Sequence, residues 1–291
     1  MALRRLAPAK INLSLHVGPK QADGYHPVCS LMIFADVGDE LSLTPRAPMG
    51  LTVGGPFGGA LSDGGDNLVA RARDLFLERF GRASEPFGLT LDKRLPVAAG
   101  LGGGSADAAT TLQLLASHNG VDASHPDLDA MARILGADVA ACLASRTVIA
   151  EGRGDDLSPA PAMPVLDAVL VNPGAPSSTA AVYGAFDDHP AGPGADRPVL
   201  PPNLTSARHA AAVFAHLRND LEAPALALQP LIGEALRALA DQPETLLARM
   251  SGSGATSFAL VETAADAGRL AERLVAAHPT WWVRPCRLGA R

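Results

Sequence analysis

The residues best suited to chemistry form one run, Pro96-Val97-Ala98-Ala99-Gly100-Leu101-Gly102-Gly103-Gly104-Ser105-Ala106, continuing as Asp107-Ala108-Ala109. Small side chains from Ala98 to Gly104 let a ligand approach the backbone closely and meet its N–H groups. A helix entered at Ser105 adds unpaired N-terminal amides and the positive end of the helix dipole, a combination suited to phosphate. The same string is compatible with a flexible linker, or with a glycine turn ahead of an ordinary helix. Two familiar phosphate motifs do not fit. A Walker loop ends in Gly-Lys-Ser/Thr, and no lysine separates Gly104 from Ser105. A dinucleotide fingerprint forced onto Gly100, Gly102 and Ser105 lacks the buried strand that must precede it, because Pro96 intervenes, and residues 117–126 read as a polar loop.

Lys10 is the second signal. It shares one side of a strand pattern with Asn12 and Ser14, so a cation and two hydrogen-bonding groups line one wall. A solvated edge strand would also accommodate a lysine there. Asp23-Gly-Tyr-His26 combines turn residues with an aromatic face and an imidazole. It reads either as an incidental turn or as a loop in which Tyr25 stacks on a flat ring while His26 bonds to the ring's edge. In Gly136-Ala-Asp138, the carboxylate of Asp138 follows a glycine turn and precedes an apolar stretch, where it can cap a short helix or act on a substrate. Ser251-Gly-Ser-Gly254 is a hairpin turn or a second glycine-rich wall for phosphate.

These residues need elements to position them. Ala9, Ile11, Leu13, Leu15 and Val17 alternate with Lys10, Asn12, Ser14 and His16, which predicts a half-buried strand with one polar face. Strands are expected at 28–34, 40–43, 87–91, 147–150, 166–171, 246–250, 255–261 and 281–284. A helix capped by Asp66 or Asn67 buries Val69, Ala72, Phe76 and Phe80. Further helices are expected at 105–116, from Pro126 onward, and at 178–186, 206–217, 225–240 (adjusted by Pro230) and 263–278. Residues 187–202 form a Pro/Gly-rich surface loop. Strands and helices mix without strict alternation, so the fold class is α+β. The Gly, Asp, Ser and Pro content of 152–164 places a boundary there, dividing the chain into domains 1–160 and 161–291.

Composition narrows the function classes. The 291 residues are 47% apolar, enough for a packed core, and two domains suit this length. The net charge of −6 argues against nucleic acid as a partner, since that binding rests on basic patches. The longest charge-free stretch, residues 168–186, contains prolines, glycines and Asn172, unlike the roughly 20 apolar residues of a membrane span. Pro8, Lys10 and Asn12 interrupt the N-terminal segment before a signal-peptide core forms. Cys29, Cys142 and Cys286 are far apart and odd in number, which reads as reduced thiols in a cytoplasmic protein. Only three lysines, Lys10, Lys20 and Lys93, stand among 24 basic residues. Lys20 and Lys93 are taken as loop or surface charges.

Taken in order, Ala9-Lys-Ile-Asn-Leu13, Asp23-Gly-Tyr-His26, Pro96 to Ala109, Gly136-Ala-Asp138, Asn219-Asp-Leu-Glu222 and Met250-Ser-Gly-Ser-Gly254 resemble the GHMP kinases. That family binds ATP through a P-x-x-x-G-L-x-x-S-x-A loop, which Pro96, Gly100, Leu101 and Ala106 match, with Gly104 at the serine position and Ser105 next to it. The resemblance implies an N-terminal domain like ribosomal protein S5 domain 2 and a ferredoxin-like C-terminal domain. The Lys-Ile-Asn-Leu start and the Asp-Gly-Tyr-His loop are similar to those of the members that phosphorylate the 2-hydroxyl of CDP-methylerythritol, using ATP and Mg²⁺, on the non-mevalonate route to isoprenoid precursors. On this resemblance Lys10 and Asp138 match a catalytic pair, and residues 96–106 hold ATP, with Ser105 near Mg²⁺. Tyr25 and His26 match cytosine-recognition residues. Tyr183 falls where a second aromatic covers the other face of the base, and Asn12 belongs to the substrate wall. The expected partner is this small molecule, with no nucleic acid or membrane, and the chain is expected as a monomer or weak homodimer. Two alternatives remain at this point: a GHMP kinase acting on homoserine or mevalonate, and a regulatory protein that binds nucleotide without catalysis.

Overall fold

A computed structural model describes residues 2–61, 66–81, 85–188 and 194–290. In chain order, the elements are β1 (Leu3–Val17), β2 (Val28–Pro45), β3 (Gly50–Gly54), α1 (Leu68–Phe80), β4 (Phe87–Asp92), α2 (Gly103–Asn119), α3 (Pro126–Leu135), α4 (Ala137–Ala144), β5 (Val148–Gly152) and β6 (Asp156–Pro159). There follow β7 (Leu166–Asn172), α5 (Thr179–Asp187), α6 (Ala207–Phe214), α7 (Glu222–Leu228), α8 (Pro230–Ala240), β8 (Leu247–Met250), β9 (Ser257–Val261), α9 (Ala264–Ala277) and β10 (Trp282–Leu288). The class is α+β, as the mixed order implied.

The chain forms two compact units. The first comprises Met1–Ala9, Gly38–Val97 and Gly102–Ser145; the second comprises Lys10–Val37, Ala98–Leu101 and Arg146–Arg291. They interleave along the sequence, where composition suggests two consecutive blocks, because β1 and β2 each contribute residues to both.

In the first unit β3 runs parallel to β4, and β4 pairs antiparallel with the second half of β2, with Leu41 opposite Leu91. Leu41, Leu43, Phe87, Leu89 and Leu91 are buried. Helices α1 to α4 pack on one another. The Asn67 side chain caps α1 by accepting from the Val69 amide at 2.9 Å. Helix α2 is central, and Ala106, Ala108, Ala109, Leu112 and Leu115 are all buried along it. Its small residues let α1 and α4 approach closely.

The second unit is built on antiparallel pairings of the first half of β2 with β10, β10 with β7, β7 with β9, and β9 with β8. Helices α8 and α9 bury Leu239, Leu270 and Leu274 against Val169, Val171 and Val283 of this sheet. Strand β5 pairs with β2 and with β6.

Several expectations are corrected. Residues 28–34 and 40–43 lie in one strand, because Asp39 is buried within it and satisfied there. The polar stretch 152–164, where composition places a boundary, contains the turn of the β5–β6 hairpin and strand β6 itself. Pro230 separates two helices, α7 and α8, instead of adjusting one, since proline starts a helix well and has no N–H for its interior. β3 is a strand that the sequence pattern did not announce. Within the 187–202 stretch, residues 189–193 lie outside the described residues. Cys29, Cys142 and Cys286 are buried, and none of the three is part of a disulfide. Among the described residues, no helix is long and apolar enough to cross a membrane.

Candidate active site

The polar side of β1 is buried, contrary to the half-exposed strand that the alternation suggests. Lys10 is 5% exposed, and Asn12, Ser14 and His16 are less so. Burial of polar groups is tolerable only with hydrogen bonds to replace water, and a chain of bonds supplies most of them. The Lys10 ammonium donates to Asn12 Oδ1 at 2.8 Å, Asn12 Nδ2 donates to Ser30 Oγ at 2.7 Å, and Ser30 donates to the Ser14 carbonyl at 2.7 Å. The chain orients the Asn12 amide, with its oxygen toward the cation and its nitrogen toward the hydroxyl. Ser14 Oγ and His16 Nε2 remain without partners.

Two loops close on this wall within the second unit. The Lys10 amide donates to the Leu101 carbonyl at 2.8 Å, and the Thr256 amide donates to the Ala99 carbonyl at 3.0 Å. Ser251 Oγ accepts from the Asn12 amide at 3.1 Å and donates to the Gly100 carbonyl at 3.0 Å. Gly100, at φ +73°, is required here: a Cβ on it would lie 2.3 Å from the Ser251 carbonyl oxygen. Ala98 takes φ +52°, a strained conformation for a residue with a side chain. Asn219 Nδ2 donates to the carbonyls of Met250 and Gly252 at 2.9 and 2.8 Å, holding the second turn. The turn at 251–254 joins the antiparallel strands β8 and β9, the hairpin reading of its sequence, and it also lies beside residues 98–101.

In the first unit, α2 starts at Gly103, two residues before the expected Ser105, with Gly102 in a left-handed conformation ahead of it. No side chain caps this end, so its first amides point to a ligand or to water. Pro96 is half-buried and Val97 exposed, while Gly104 is exposed and Ser105 half-buried in the helix's first turn. Ala106 is buried beneath them. Asp138 sits in the first turn of α4 after Gly136. Lys10 belongs to the second unit and Asp138 to the first.

Beneath the start of α2 lies a cluster that sequence reasoning missed. Lys93, taken from the sequence as a surface charge, is 2% exposed. Its ammonium is 2.5 Å from Asp39 Oδ2 and 2.7 Å from Asp107 Oδ2. Asp39 Oδ1 also accepts from the amides of Arg94 and Leu95 at 2.6 and 2.8 Å. Gly103 makes room for the cluster, since a Cβ there would come within 3.0 Å of Lys93 Nζ. Burial alone would lower the Lys93 pKa, but the two carboxylates outweigh it and raise it. Burial, reinforced by the Asp39 charge and opposed by Lys93, pushes Asp107 up to about 7. A usable signal was present: Asp39 interrupts an apolar strand pattern, and Asp107 lies among alanines.

The remaining predicted residues gather in the second unit. Tyr25 is exposed, and the Arg153 guanidinium lies 4.2 Å from its ring centre while donating to Asp23 at 2.7 Å. His26 is buried. Its ring packs against Tyr183 at 5.0 Å and against the edge of Phe186 at 5.8 Å. The structure thus brings Tyr183 to His26 and places Tyr25 against Arg153.

Two family models match the sequence: GHMP kinases N terminal domain over residues 67–146, and GHMP kinases C terminal over residues 202–280. A 4-diphosphocytidyl-2-C-methyl-D-erythritol kinase of Caulobacter vibrioides (strain NA1000 / CB15N) is 55% identical over 290 residues, covering 99% of this chain and 100% of the relative. A crystal structure of 4-(cytidine 5'-diphospho)-2C-methyl-D-erythritol kinase superposes with a TM-score of 0.81 at 36% identity, covering 99% of this chain and 100% of that one. A homoserine kinase from Cytophaga hutchinsonii shares the fold, with a TM-score of 0.69 at 17% identity over 98% of this chain and 94% of its own.

Proposed function

Because the chain belongs to the GHMP kinase family, we propose that it transfers the γ-phosphoryl group of ATP to the 2-hydroxyl of CDP-methylerythritol, on the non-mevalonate route to isoprenoid precursors. The observation that carries the choice of substrate is the full-length similarity to a diphosphocytidyl-methylerythritol kinase. A homoserine or mevalonate kinase reading draws only on a shared fold.

The enzyme is a kinase with ATP as phosphoryl donor. The uncapped start of α2 and the close-packed backbone at residues 98–101 suit a polyphosphate, which amides hold without any surface cation. Residues 96–106 are the proposed ATP loop. Mg²⁺, when bound, would neutralise charge on the phosphates. It characteristically takes one or two protein ligands and fills its shell with phosphate oxygens and water. Ser105, in the first turn of α2, is the protein ligand we assign.

Phosphoryl transfer leaves little covalent chemistry to the protein, so positioning and electrostatics do most of the work. Asp138 orients the acceptor hydroxyl and takes its proton, a role worth typically about 10²–10⁴-fold in rate. The Lys10 ammonium, held to Asn12, stabilises charge on the transferring group. Asn12 is thereby part of the substrate wall, and Tyr25, His26 and Tyr183 recognise the cytosine ring by stacking and edge contacts. We retain 1–160 and 161–291 as the proposed family domains, each containing one of the two matched regions. The acidic net charge supports a small-molecule substrate over nucleic acid, the three buried thiols suit a cytoplasmic enzyme, and the oligomeric state we propose is a monomer or weak homodimer.

The deciding experiment measures ADP release from Mg-ATP with CDP-methylerythritol, homoserine or mevalonate as acceptor. Turnover with the first alone is expected. Turnover with either of the others and none with the first would replace the substrate assignment, and no turnover with any acceptor would favour a nucleotide-binding regulator.

A further inference from the structure

We propose that Asp187 is a positioning residue of the base-recognition site, latching the loop at residues 20–26 to helix α5; the proposal rests on the reading of Tyr25, His26 and Tyr183 given above. The carboxylate bridges both ends of that loop. Its Oδ1 accepts from His26 Nε2 at 2.6 Å, and its Oδ2 accepts from the Lys20 ammonium at 3.0 Å. Between these two anchors the loop is closed on itself, with the Gln21 amide donating to the Tyr25 carbonyl at 2.8 Å and the Gly24 amide to the Gln21 carbonyl at 2.9 Å. One side chain therefore holds a small preformed ring of backbone by both of its ends.

Helix geometry extends the latch to the second aromatic. Tyr183 and Asp187 are four residues apart in α5, so they lie on one helical face. The His26 ring rests on Tyr183 at 5.0 Å while its Nε2 reaches Asp187. Asp187 thus ties the loop bearing Tyr25 to the helix bearing Tyr183. A carboxylate can only accept, so Nε2 carries the proton, and in the neutral ring Nδ1 is the lone-pair side. Nδ1 has no hydrogen-bond partner among the described residues.

The position itself calls for such a reason. Asp187 is the last residue of α5, where the helix dipole disfavours negative charge, and no basic residue accompanies it in the last turn. Helix stability is not what a carboxylate there provides. The His26 hydrogen bond, and after it the Lys20 bond, hold the carboxyl below its ordinary pKa, so it is charged at neutral pH. A latch of this kind lowers the ordering cost of binding, because the loop and the helix are already tied before the base arrives.

The test is steady-state kinetics of the full chain with Mg-ATP and CDP-methylerythritol, comparing wild type with Asp187→Ala, Asp187→Glu and Lys20→Met. Loss of a charge-assisted bond predicts a KM for the cytidine-bearing substrate raised about 10-fold in Asp187→Ala, with kcat and the KM for ATP within about twofold. Asp187→Glu, which keeps the carboxylate, restores most of the affinity. Lys20→Met gives a smaller rise, and the double variant Lys20→Met/Asp187→Ala is no worse than Asp187→Ala alone, because both act through one carboxylate. Asp187 is exposed on the helix end, so folding is expected to hold; should Asp187→Ala fail to fold, Lys20→Met carries the same test. An unchanged KM in Asp187→Ala, or a loss confined to thermal stability, overturns the latch. If the latch alone is wrong, Tyr25→Ala still raises the substrate KM. If the base-site reading is wrong, Tyr25→Ala is silent too, and the latch falls with it.

Discussion

Replacing Lys93 with methionine asks whether the start of α2 is anchored by a buried ionic cluster. Methionine keeps an apolar stem and removes the ammonium. In the native protein that ammonium touches two carboxylates at 2.5 and 2.7 Å, and none of the three side chains is more than 3% exposed. Removing one partner of a buried pair costs about 3–5 kcal/mol, against about 0–1 kcal/mol for a surface pair. Two carboxylates lose their cation here, so the upper part of that range, about 4–5 kcal/mol, is expected. The loss is uneven. Asp39 keeps bonds from the amides of Arg94 and Leu95, whereas Asp107 Oδ1 has no partner. Adding Asp107→Asn to Lys93→Met should therefore recover part of the stability. The pH dependence has a definite sign. Asp107 is raised to about 7, chiefly by burial, so its favourable contribution is complete below its unfolded value near 4 and is lost as pH rises through 7. Without Lys93 the carboxyl rises further, and the variant loses more stability than wild type between pH 5 and pH 8. Urea denaturation followed by far-ultraviolet circular dichroism at several pH values measures both effects. A loss below about 1 kcal/mol, or one independent of pH, would place Lys93 with the surface charges and refute the cluster as an anchor.

Changes at three other positions test separate parts of the site. Asp138→Asn should lower kcat by about 10²-fold or more while leaving ATP affinity, read by equilibrium titration, within twofold; equal turnover would remove Asp138 from the mechanism. Tyr25→Ala should raise the KM for CDP-methylerythritol by about 5-fold or more and spare the KM for ATP, since stacking on a base is worth roughly 1–3 kcal/mol; the opposite pattern would move Tyr25 out of base recognition. Ala98→Gly should be neutral or stabilising by up to about 1 kcal/mol, because φ +52° strains alanine and not glycine, and Ala98→Val should destabilise. A thermal melt checks both, and a clear loss in the glycine variant would contradict the strain.

The legible part of the site was what lies close in sequence. Glycines announced the start of a helix, and the spacing of Lys10, Asn12 and Ser14 placed them together on β1. Their burial was not legible, because the groups that exclude water from them are remote: Ser251 bonds the Asn12 amide from 239 residues away. Lys93 was hidden for the same reason. Asp92, Lys93 and Arg94 read as a charged turn, and the partners of Lys93 stand 54 and 14 residues away. Asp187 marked only the beginning of a Pro/Gly-rich loop, since His26 is 161 residues distant. In the fold, long amphipathic helices such as α1 and α9 were legible from their own periodicity. The short strands β3 and β6 were not, because a strand of four or five residues is decided by the partner it pairs with.

The use of lysine follows from the same burial. Of 24 basic residues only three are lysine, and two of these, Lys10 and Lys93, are among the buried residues. An ammonium is a compact point charge with three donors, which fits between two carboxylates or beside an amide oxygen. Guanidinium is a planar fork and suits acceptors spread in a plane. Arg249 illustrates this: also buried, it donates to three backbone carbonyls, those of Leu13, Phe214 and Leu217. An arginine at position 93 would have to fit its wider fork against Gly103, where even a single methyl group would lie 3.0 Å from the present Nζ, so charge conservation alone would not preserve the cluster. With a net charge of −6, a general basic surface does not attract the polyanionic substrates. In the site proposed above, that role falls to amides fixed by backbone geometry and to a few cations held in place. Such charges keep their effect where salt screens exposed ones.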